Sequence, residues 1–248
     1  MTSKSRDSSD GGSGPARVPE EFARWAADDA GAPGLDLDKL QAELEGKLAQ
    51  ERGPAAWLRS RSTPVRGIFG GGAVALLVVA TMAIWLRPDF EVYPAGRMLA
   101  LLALLAGMII VDLILVLWPL QLPAAPRWLS QAAVIAAPLG LLVLYALPAA
   151  HVDHPRSLQA EGLGPMLVSA LRCLLVGSGV AAGMYAVLRG LDRGGAPRLL
   201  LMAACAGLSA NLMLQLHCPK TAPLHLLLGH LGVVGLCFGA AWLLGRER

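Results

Sequence analysis

The sequence is poor in aromatic and charged residues, and it lacks the common motifs of hydrolases and nucleotide-binding enzymes. Of its 248 residues, 5% are aromatic and 16% are charged, whereas 55% are hydrophobic. A soluble globular domain carries about 25% charged residues, so this composition, with a mean hydropathy of +0.54, is that of an integral membrane protein. No G-x-S-x-G, H-E-x-x-H or G-x-x-x-x-G-K-[ST] pattern occurs. We therefore expect no enzyme and no cofactor.

Long apolar runs follow one another after residue 66, and short polar or proline-containing segments separate them. A membrane-spanning helix needs about 20 apolar residues, and the runs lack the period-two alternation of a membrane barrel. The sequence therefore predicts an all-α fold, a bundle of six transmembrane helices within residues 67–248. The predicted spans are 67–86, 98–118, 128–149, 169–188, 199–216 and 224–244. The first residues have no apolar core, which excludes a cleavable signal peptide there.

Lysine and arginine near the ends of the spans predict the orientation. If the N-terminal segment is cytoplasmic, ten basic residues fall on the inner side and five on the outer side. This excess predicts that both termini are cytoplasmic. The connection between the fifth and sixth spans then lies at the outer face.

Residues 1–66 form a polar head of a different character. Residues 1–17 are rich in Ser, Gly and charge, which predicts a disordered tail. Residues 18–66 contain two predicted amphipathic helices and a juxtamembrane anchor, and the helices are too short to bury a core alone. Between residues 20 and 51 there are nine acidic and three basic residues, which suits docking to a basic protein surface. The apolar stripes consist of Phe22, Trp25, Leu37, Leu40, Leu44 and Leu48.

A few polar residues interrupt the spans. Asp112 lies in the second span, where a charge is costly unless it is protonated or paired, and Asn211 and Gln215 share one face of the fifth. We expect them to serve helix packing by hydrogen bonds. The alternative is a small transporter or channel subunit whose path these three residues line. The patterns Gly179-x-x-x-Gly183 and Gly235-x-x-x-Gly239 allow close helix approach, within the bundle or in a homo-oligomer.

The segment LHCPKTAPLHLLLGH, residues 216–230, contains three histidines, one cysteine and one lysine in an otherwise apolar part of the chain. Cys173 is expected at the outer start of the fourth span and Cys218 at the outer end of the fifth, where they could form a disulfide or bind a soft cation. The histidines that could complete such a site are His217, His225 and His230. The alternative is that each histidine is an ordinary helix-end residue, since neither C-x-x-C nor H-x-x-x-H occurs.

The order of features from Arg172 to the end resembles the negative regulator of sigma F family, six-span bacterial membrane anti-sigma proteins. The shared features are a helix with an early cysteine, a short arginine-containing loop, a Gly/Ala-rich helix ending in LQLHCP, and a last helix that contains histidine and ends in GR. The stretch GPAAWLRSRSTPVR, residues 53–66, is similar to related membrane anti-sigma proteins of myxobacteria. The chain departs from the family at Gly229-His230, where a Trp-Tyr pair is expected.

The resemblance implies a function in transcription regulation and stress signalling at the bacterial inner membrane. The head would bind an extracytoplasmic-function sigma factor and keep it from RNA polymerase, without direct contact to nucleic acid. The family's paired cysteines, associated with response to the signal, correspond to Cys173 and Cys218. The head lacks the H-x-x-x-C-x-x-C pattern of zinc-containing anti-sigma domains, so no metal is expected there.

Overall fold

The structure is a computed structural model that describes residues 53–91, 94–118, 125–146, 162–192 and 198–246. The chain divides into two compact units, Met1–Arg52 and Gly53–Arg248. The disordered tail, the two head helices and the apolar stripes predicted from the sequence lie outside the described residues. Of residues 1–66, the structure describes only the juxtamembrane segment, from residue 53 onward. The description below therefore concerns the second unit.

The described residues are helical and contain no strand. The helices are α1 (Pro54–Ser60), α2 (Thr63–Ile84), α3 (Ala95–Val116), α4 (Arg127–Ala146), α5 (Leu163–Leu191), α6 (Arg198–His217) and α7 (Pro223–Arg246). Helices α2 to α7 are each long and apolar enough to cross a membrane. The prediction of an all-α, six-helix membrane protein is confirmed.

Two helices begin earlier than the spans estimated from the sequence. The anchor before the first span is itself helical: α1 ends at Ser60, and α2 begins at Thr63, with a proline in its first turn. Helix α5 begins at Leu163 and has 29 residues, so Cys173 lies more than two turns inside it rather than at its start. The sequence estimate took the helix to be about 20 residues long, and this one is considerably longer.

Helix α6 is the centre of the bundle. It contacts α2, α3, α4, α5 and α7, and 94% of its most apolar window is buried, against 11% for α2. Its middle is built from small residues, which let neighbouring helices approach closely. At Gly207, for example, a Cβ atom would lie 3.2 Å from the Cα atom of Val234 in α7. The small residues of α6 therefore determine that it occupies the core.

The predicted small-residue pairs are not the close contacts within the chain. A Cβ atom placed at any of the four glycines Gly179, Gly183, Gly235 and Gly239 would meet no atom of the described residues within 4 Å. The close approaches occur instead at other glycines, among them Gly177, where a Cβ atom would lie 2.7 Å from Val233. The role in a homo-oligomer remains a prediction.

The two ends of the bundle differ in composition. We call the end that carries Arg66, Asp192 and Arg198 the Arg198 end. The other end, which carries Cys173 and Cys218, is the cysteine end. At the Arg198 end, arginine side chains bind the carbonyl groups that helix C-termini leave unpaired. The Arg66 guanidinium donates to the carbonyl of Leu191 at 2.8 Å, and Arg198 donates to that of Val116 at 3.2 Å. Arg198 also lies 3.3 Å from the carboxylate of Asp192. Positive charge is favourable at a helix C-terminus, so these contacts stabilise the end of the bundle.

Candidate functional site

Four side chains with metal-binding or redox chemistry meet at the cysteine end. They are Cys173 from α5, Cys218 from the residue after α6, and His225 and His230 from α7, and we call them the Cys/His cluster. One sulfur or ring nitrogen from each lies within 4.8 Å of those of the other three. The two sulfur atoms are 3.6 Å apart, and the Sγ atom of Cys218 is 3.2 Å from Nε2 of His225. Both cysteines are free thiols.

The Cys/His cluster is buried and its imidazoles are incompletely paired. The exposed fraction is 8% for Cys173, 5% for Cys218 and 0% for both histidines. Three ring nitrogens have no hydrogen-bond partner among the described residues: Nδ1 of His225 and both nitrogens of His230. A buried polar atom without a partner costs about 1–3 kcal/mol. Such atoms in a native fold call for an explanation, and a bound ion is one.

A π-helical turn brings the two histidines together. In an α-helix, residues five apart point about 140° away from each other. Residues Leu226–Leu231 instead form a π-helix, whose hydrogen bonds span five residues and whose turn is correspondingly wider. His225 and His230 therefore come to the same side of α7, with ring centroids 5.6 Å apart. π-helical turns are rare in proteins, and those that do occur frequently lie at functional sites.

Gly229 allows α5 to bring Cys173 close to the histidines. A Cβ atom at position 229 would lie 3.0 Å from the carbonyl oxygen of Ala170 and 3.2 Å from the Cβ atom of Cys173. Both distances are shorter than an ordinary van der Waals contact, so a side chain here would push the two helices apart. Gly229 thus provides the space for this approach, and the adjacent His230 is one member of the cluster.

His217 does not belong to the cluster, although it precedes Cys218. Its Nδ1 atom lies 3.1 Å from the carbonyl oxygen of Trp85, and its ring packs against the indole at 5.1 Å. It is the histidine that fits the alternative interpretation of a helix-end residue paired with its neighbours. His225 and His230 do not fit that interpretation, because both are fully buried.

The end of α2 is fastened to the end of α6 next to the cluster. The backbone N–H of Arg87 donates to the carbonyl of Leu216 at 2.8 Å, and its guanidinium lies 3.4 Å from the carbonyl oxygen of Gln215. Asp89 holds that guanidinium through two contacts of 2.6 Å. We call these contacts the Arg87 clamp. The sequence marks Arg87 only as one outer positive charge, since the carbonyl group of Gln215 that its guanidinium meets lies 128 residues away in the chain.

Asn211 and Gln215 make interhelical hydrogen bonds, as expected. The hydroxyl group of Tyr145 in α4 donates to Oδ1 of Asn211 at 2.8 Å and accepts from Nε2 of Gln215 at 3.0 Å. The Asn211 amide also donates to the carbonyl of His230 at 3.2 Å, and the ring of Tyr145 packs edge-on against that histidine at 5.8 Å. No pattern in the sequence singles out Tyr145 for this role. These contacts with Asn211 and Tyr145 hold His230 in place.

Asp112 is separate from that network. It is 2% exposed in α3, and one of its carboxylate oxygens has no partner among the described residues. The hydrogen bonds of Asn211 and Gln215 go to Tyr145 and to backbone carbonyl groups. The three residues named for a transport path therefore do not form one hydrogen-bonded group.

Comparison with known proteins gives no significant match to a family model, a curated protein or a solved structure. The function must therefore be argued from the site itself. Two thiols and two imidazoles in a buried position can bind a soft or borderline cation, or the thiols can be oxidised. The Cys/His cluster is the part of the described chain best suited to receive a chemical signal.

Proposed function

We propose that this protein is a membrane-bound anti-sigma factor. Residues 18–52 sequester an extracytoplasmic-function sigma factor, and chemistry at the Cys/His cluster releases it. The observation that carries the proposal is the meeting of Cys173 and Cys218, from different helices, at 3.6 Å. These are the two positions to which the resemblance assigns the cysteines that respond to the signal. A packing role alone would not require two thiols in contact with two imidazoles.

The proposed orientation places the cysteine end at the outer face of the bacterial inner membrane. The basic residues that flank the spans favour the side of both termini as the cytoplasmic side. Arg66, Arg189 and Arg198 all lie at the Arg198 end, which is then the inner one. The signal would reach the cluster from the periplasm, and the sigma factor would bind on the opposite side.

Helix α2 is the proposed connection between signal and head. Its far end is held beside the cluster by the Arg87 clamp. The clamp binds α6 at Gln215 and Leu216, and Leu216 is two residues before Cys218. Its near end begins at Thr63, directly after the juxtamembrane helix that joins the head. A shift at the end of α6 would therefore move α2, whose first residue follows α1 and the head along the chain. A coupling of this kind needs two arrangements of one element that both sites influence.

The head has the composition of a segment that gains order on binding. It is acidic between residues 20 and 51, and its apolar stripes are short. Such segments bind as amphipathic helices in a groove, and the carboxylates suit a basic surface. A sigma factor is the partner that the resemblance implies. The head is not expected to contact DNA, because its charge has the same sign as that of the phosphate backbone.

The test of the partner uses the full-length chain in detergent-solubilised native membranes. The chain is captured through a C-terminal tag, and the bound proteins are identified by mass spectrometry. We expect an alternative sigma factor that is lost when Leu40 and Leu44 are replaced by Asp. The matched control is Ser8→Asp with Ser9→Asp, which adds the same charge in the tail. Capture of no sigma factor, or equal capture by the Leu40 and Leu44 variant, would refute the anti-sigma role.

The test of the sensor uses a reporter gene driven by the captured sigma factor. We expect that Cys173→Ser and Cys218→Ser each fix the reporter at one level, whatever the stimulus. Cys237→Ser is the control, since that cysteine is half-buried elsewhere in α7. A normal response in either cluster variant would separate the signal from the thiols.

A further inference from the structure

We propose that the Cys/His cluster is a closed, four-ligand centre for a divalent cation of the zinc type, such as Zn²⁺ or Cd²⁺. The ligands are the sulfur atoms of Cys173 and Cys218 and one ring nitrogen each of His225 and His230. The inference deepens the proposed function by naming the ligand. It rests on that function only for its regulatory meaning, because binding itself is a property of the membrane helices.

The geometry is close to that of a tetrahedral site. With metal–sulfur bonds of about 2.3 Å and metal–nitrogen bonds of about 2.0–2.1 Å, the ligand atoms of a tetrahedron lie roughly 3.3–3.8 Å apart. The sulfur atoms are 3.6 Å apart, and one sulfur–nitrogen distance is 3.2 Å. All four ligand atoms lie within 4.8 Å of one another. Small side-chain rotations would therefore complete the tetrahedron.

The charge of the complex favours a divalent cation. Two thiolates and two neutral imidazoles carry a charge of −2, so a divalent ion makes the centre neutral. Neutrality matters because an uncompensated charge in a buried, apolar position is costly. A monovalent ion such as Cu⁺ would leave one negative charge in the same place. Magnesium and calcium ions prefer oxygen ligands, and the cluster contains no carboxylate.

The histidines distinguish this centre from a simple redox-active pair. A disulfide between Cys173 and Cys218 would use neither imidazole, and three ring nitrogens would still lack partners. A bound cation would take up one nitrogen from each ring. The rings are already held by packing, His225 against His230 and His230 against Tyr145. The rare π-helical turn, which places His230 beside His225, then has a specific purpose.

An ion could reach the centre from the end of the bundle. Cys173 is the most exposed of the four residues. Cys218 opens the short connection to α7, of which residues 219–222 are partly exposed. The site is therefore buried but close to a surface segment that has no helical structure.

The experiment uses full-length protein, purified in detergent under reducing conditions and stripped of metal. Co²⁺ is the spectroscopic probe, and Zn²⁺ and Cd²⁺ then compete for the site. We expect about one Co²⁺ per chain, with visible absorption bands typical of tetrahedral coordination and a thiolate-to-metal charge-transfer band in the near ultraviolet. Zn²⁺ should displace the cobalt and remove the bands.

Single variants test three of the four ligands. Cys218→Ser, His225→Gln and His230→Gln should each weaken binding by more than the roughly 10–100-fold that loss of an outer-shell partner costs. His230→Cys should bind Co²⁺ more tightly than His230→Gln and strengthen the charge-transfer band, although its third thiolate leaves one negative charge that weakens binding relative to the unmodified protein. This variant guards against a loss of binding that comes from misfolding. His217→Gln is the matched control, because that histidine contacts Trp85 instead. Its spectrum should be unchanged.

Two results would overturn the inference. One is the absence of tetrahedral Co²⁺ bands in a protein whose thiols are shown to be reduced. The other is full binding by both histidine-to-glutamine variants, which would reduce the centre to the two cysteines. Because no sigma factor is present in this assay, its failure leaves the anti-sigma test unaffected. Conversely, a protein that binds the ion but captures no sigma factor would refute only the proposed function.

Discussion

The two ends of the helix bundle treat buried polar groups in opposite ways. At the Arg198 end, the guanidinium groups of Arg66 and Arg198 are bound to carbonyl groups of helix C-termini or to Asp192. At the cysteine end, two thiols and two imidazoles face one another, and three ring nitrogens have no partner among the described residues. Each of these charged side chains at the Arg198 end binds a carbonyl group or an opposite charge, whereas neither ring nitrogen of His230 at the cysteine end has a hydrogen-bond partner among the described residues.

The difference separates structural polar groups from functional ones. Burying a polar group is costly unless it is paired, so a fold that pairs the charges of one end and leaves the imidazoles of the other incomplete indicates where a ligand is expected. The Arg87 clamp is a useful intermediate case. It lies at the cysteine end, but its charges are fully engaged with Asp89 and with α6. Polarity at this end is therefore not enough to mark a site.

The largest effect is expected from breaking the Arg87 clamp. Removal of one partner of a buried ion pair costs about 3–5 kcal/mol, so Asp89→Ala should lower the free energy of unfolding by an amount of that order. The measurement is denaturant unfolding in detergent micelles. Glu91→Ala, in the same loop but exposed, should have almost no effect. Equal stability of the two variants would show that the clamp is not a structural element.

A bound ion should stabilise only through the cysteine end. At a free Zn²⁺ concentration of 100 times the dissociation constant, the gain in unfolding free energy is about 2.7 kcal/mol. Thermal unfolding with and without a chelator measures this gain. We expect it in the unmodified protein and in Arg66→Met, but not in His230→Gln. A zinc-dependent shift that survives in His230→Gln would place the ion elsewhere.

The Arg198 end should respond to mutation without any dependence on metal. Hydrogen bonds to charged groups contribute about 1.5–3 kcal/mol each, and Arg66 donates one to the carbonyl of Leu191. Arg66→Met should therefore lower the free energy of unfolding by an amount in this range, while the affinity for Co²⁺ stays unchanged. A loss of Co²⁺ affinity in this variant would mean that the two ends are structurally coupled.

Gly229→Ala should separate α5 from α7 and widen the Cys/His cluster. Overpacking in a close-packed interior costs about 1–3 kcal/mol, and the added methyl group would meet the backbone at Ala170. We expect both lower stability and weaker Co²⁺ binding. Gly235→Ala is the control, because nothing lies within 4 Å of its Cβ position. Unaltered binding in Gly229→Ala would show that the helices can adjust without moving Cys173.

The smallest effect is expected at the hydrogen-bond network of Tyr145, Asn211 and Gln215. Interhelical hydrogen bonds in membrane proteins contribute about 0.6 kcal/mol on average and at most about 1.7 kcal/mol. Tyr145→Phe removes the hydroxyl group that contacts Asn211 and Gln215 but keeps the ring against His230. We expect a small loss of stability and unchanged coordination spectra. A clear spectral change would instead make the hydroxyl group necessary for placing His230.

Much of the fold could be predicted from the sequence, because length and hydropathy are local properties. The six spans were recognised, and their ends differ from the structure by a few residues, most of all at the start of α5. Less of the site could be predicted. The expected level in the membrane pairs Cys173 with Cys218, and the sequence offers His217, His225 and His230 equally as further members of the site. It does not show that His217 differs from the other two histidines. The structure directs His217 to Trp85 instead.

The sequence alone determined the class of the protein, since an apolar segment of sufficient length has no stable place outside a membrane or a protein core. It also determined which residues could carry chemistry. Only the tertiary structure decided which of them meet. That decision depends on a π-helical turn at Leu226–Leu231 and on a close approach at Gly229. The close approach is a contact between segments far apart in the chain, and local sequence patterns do not encode such contacts.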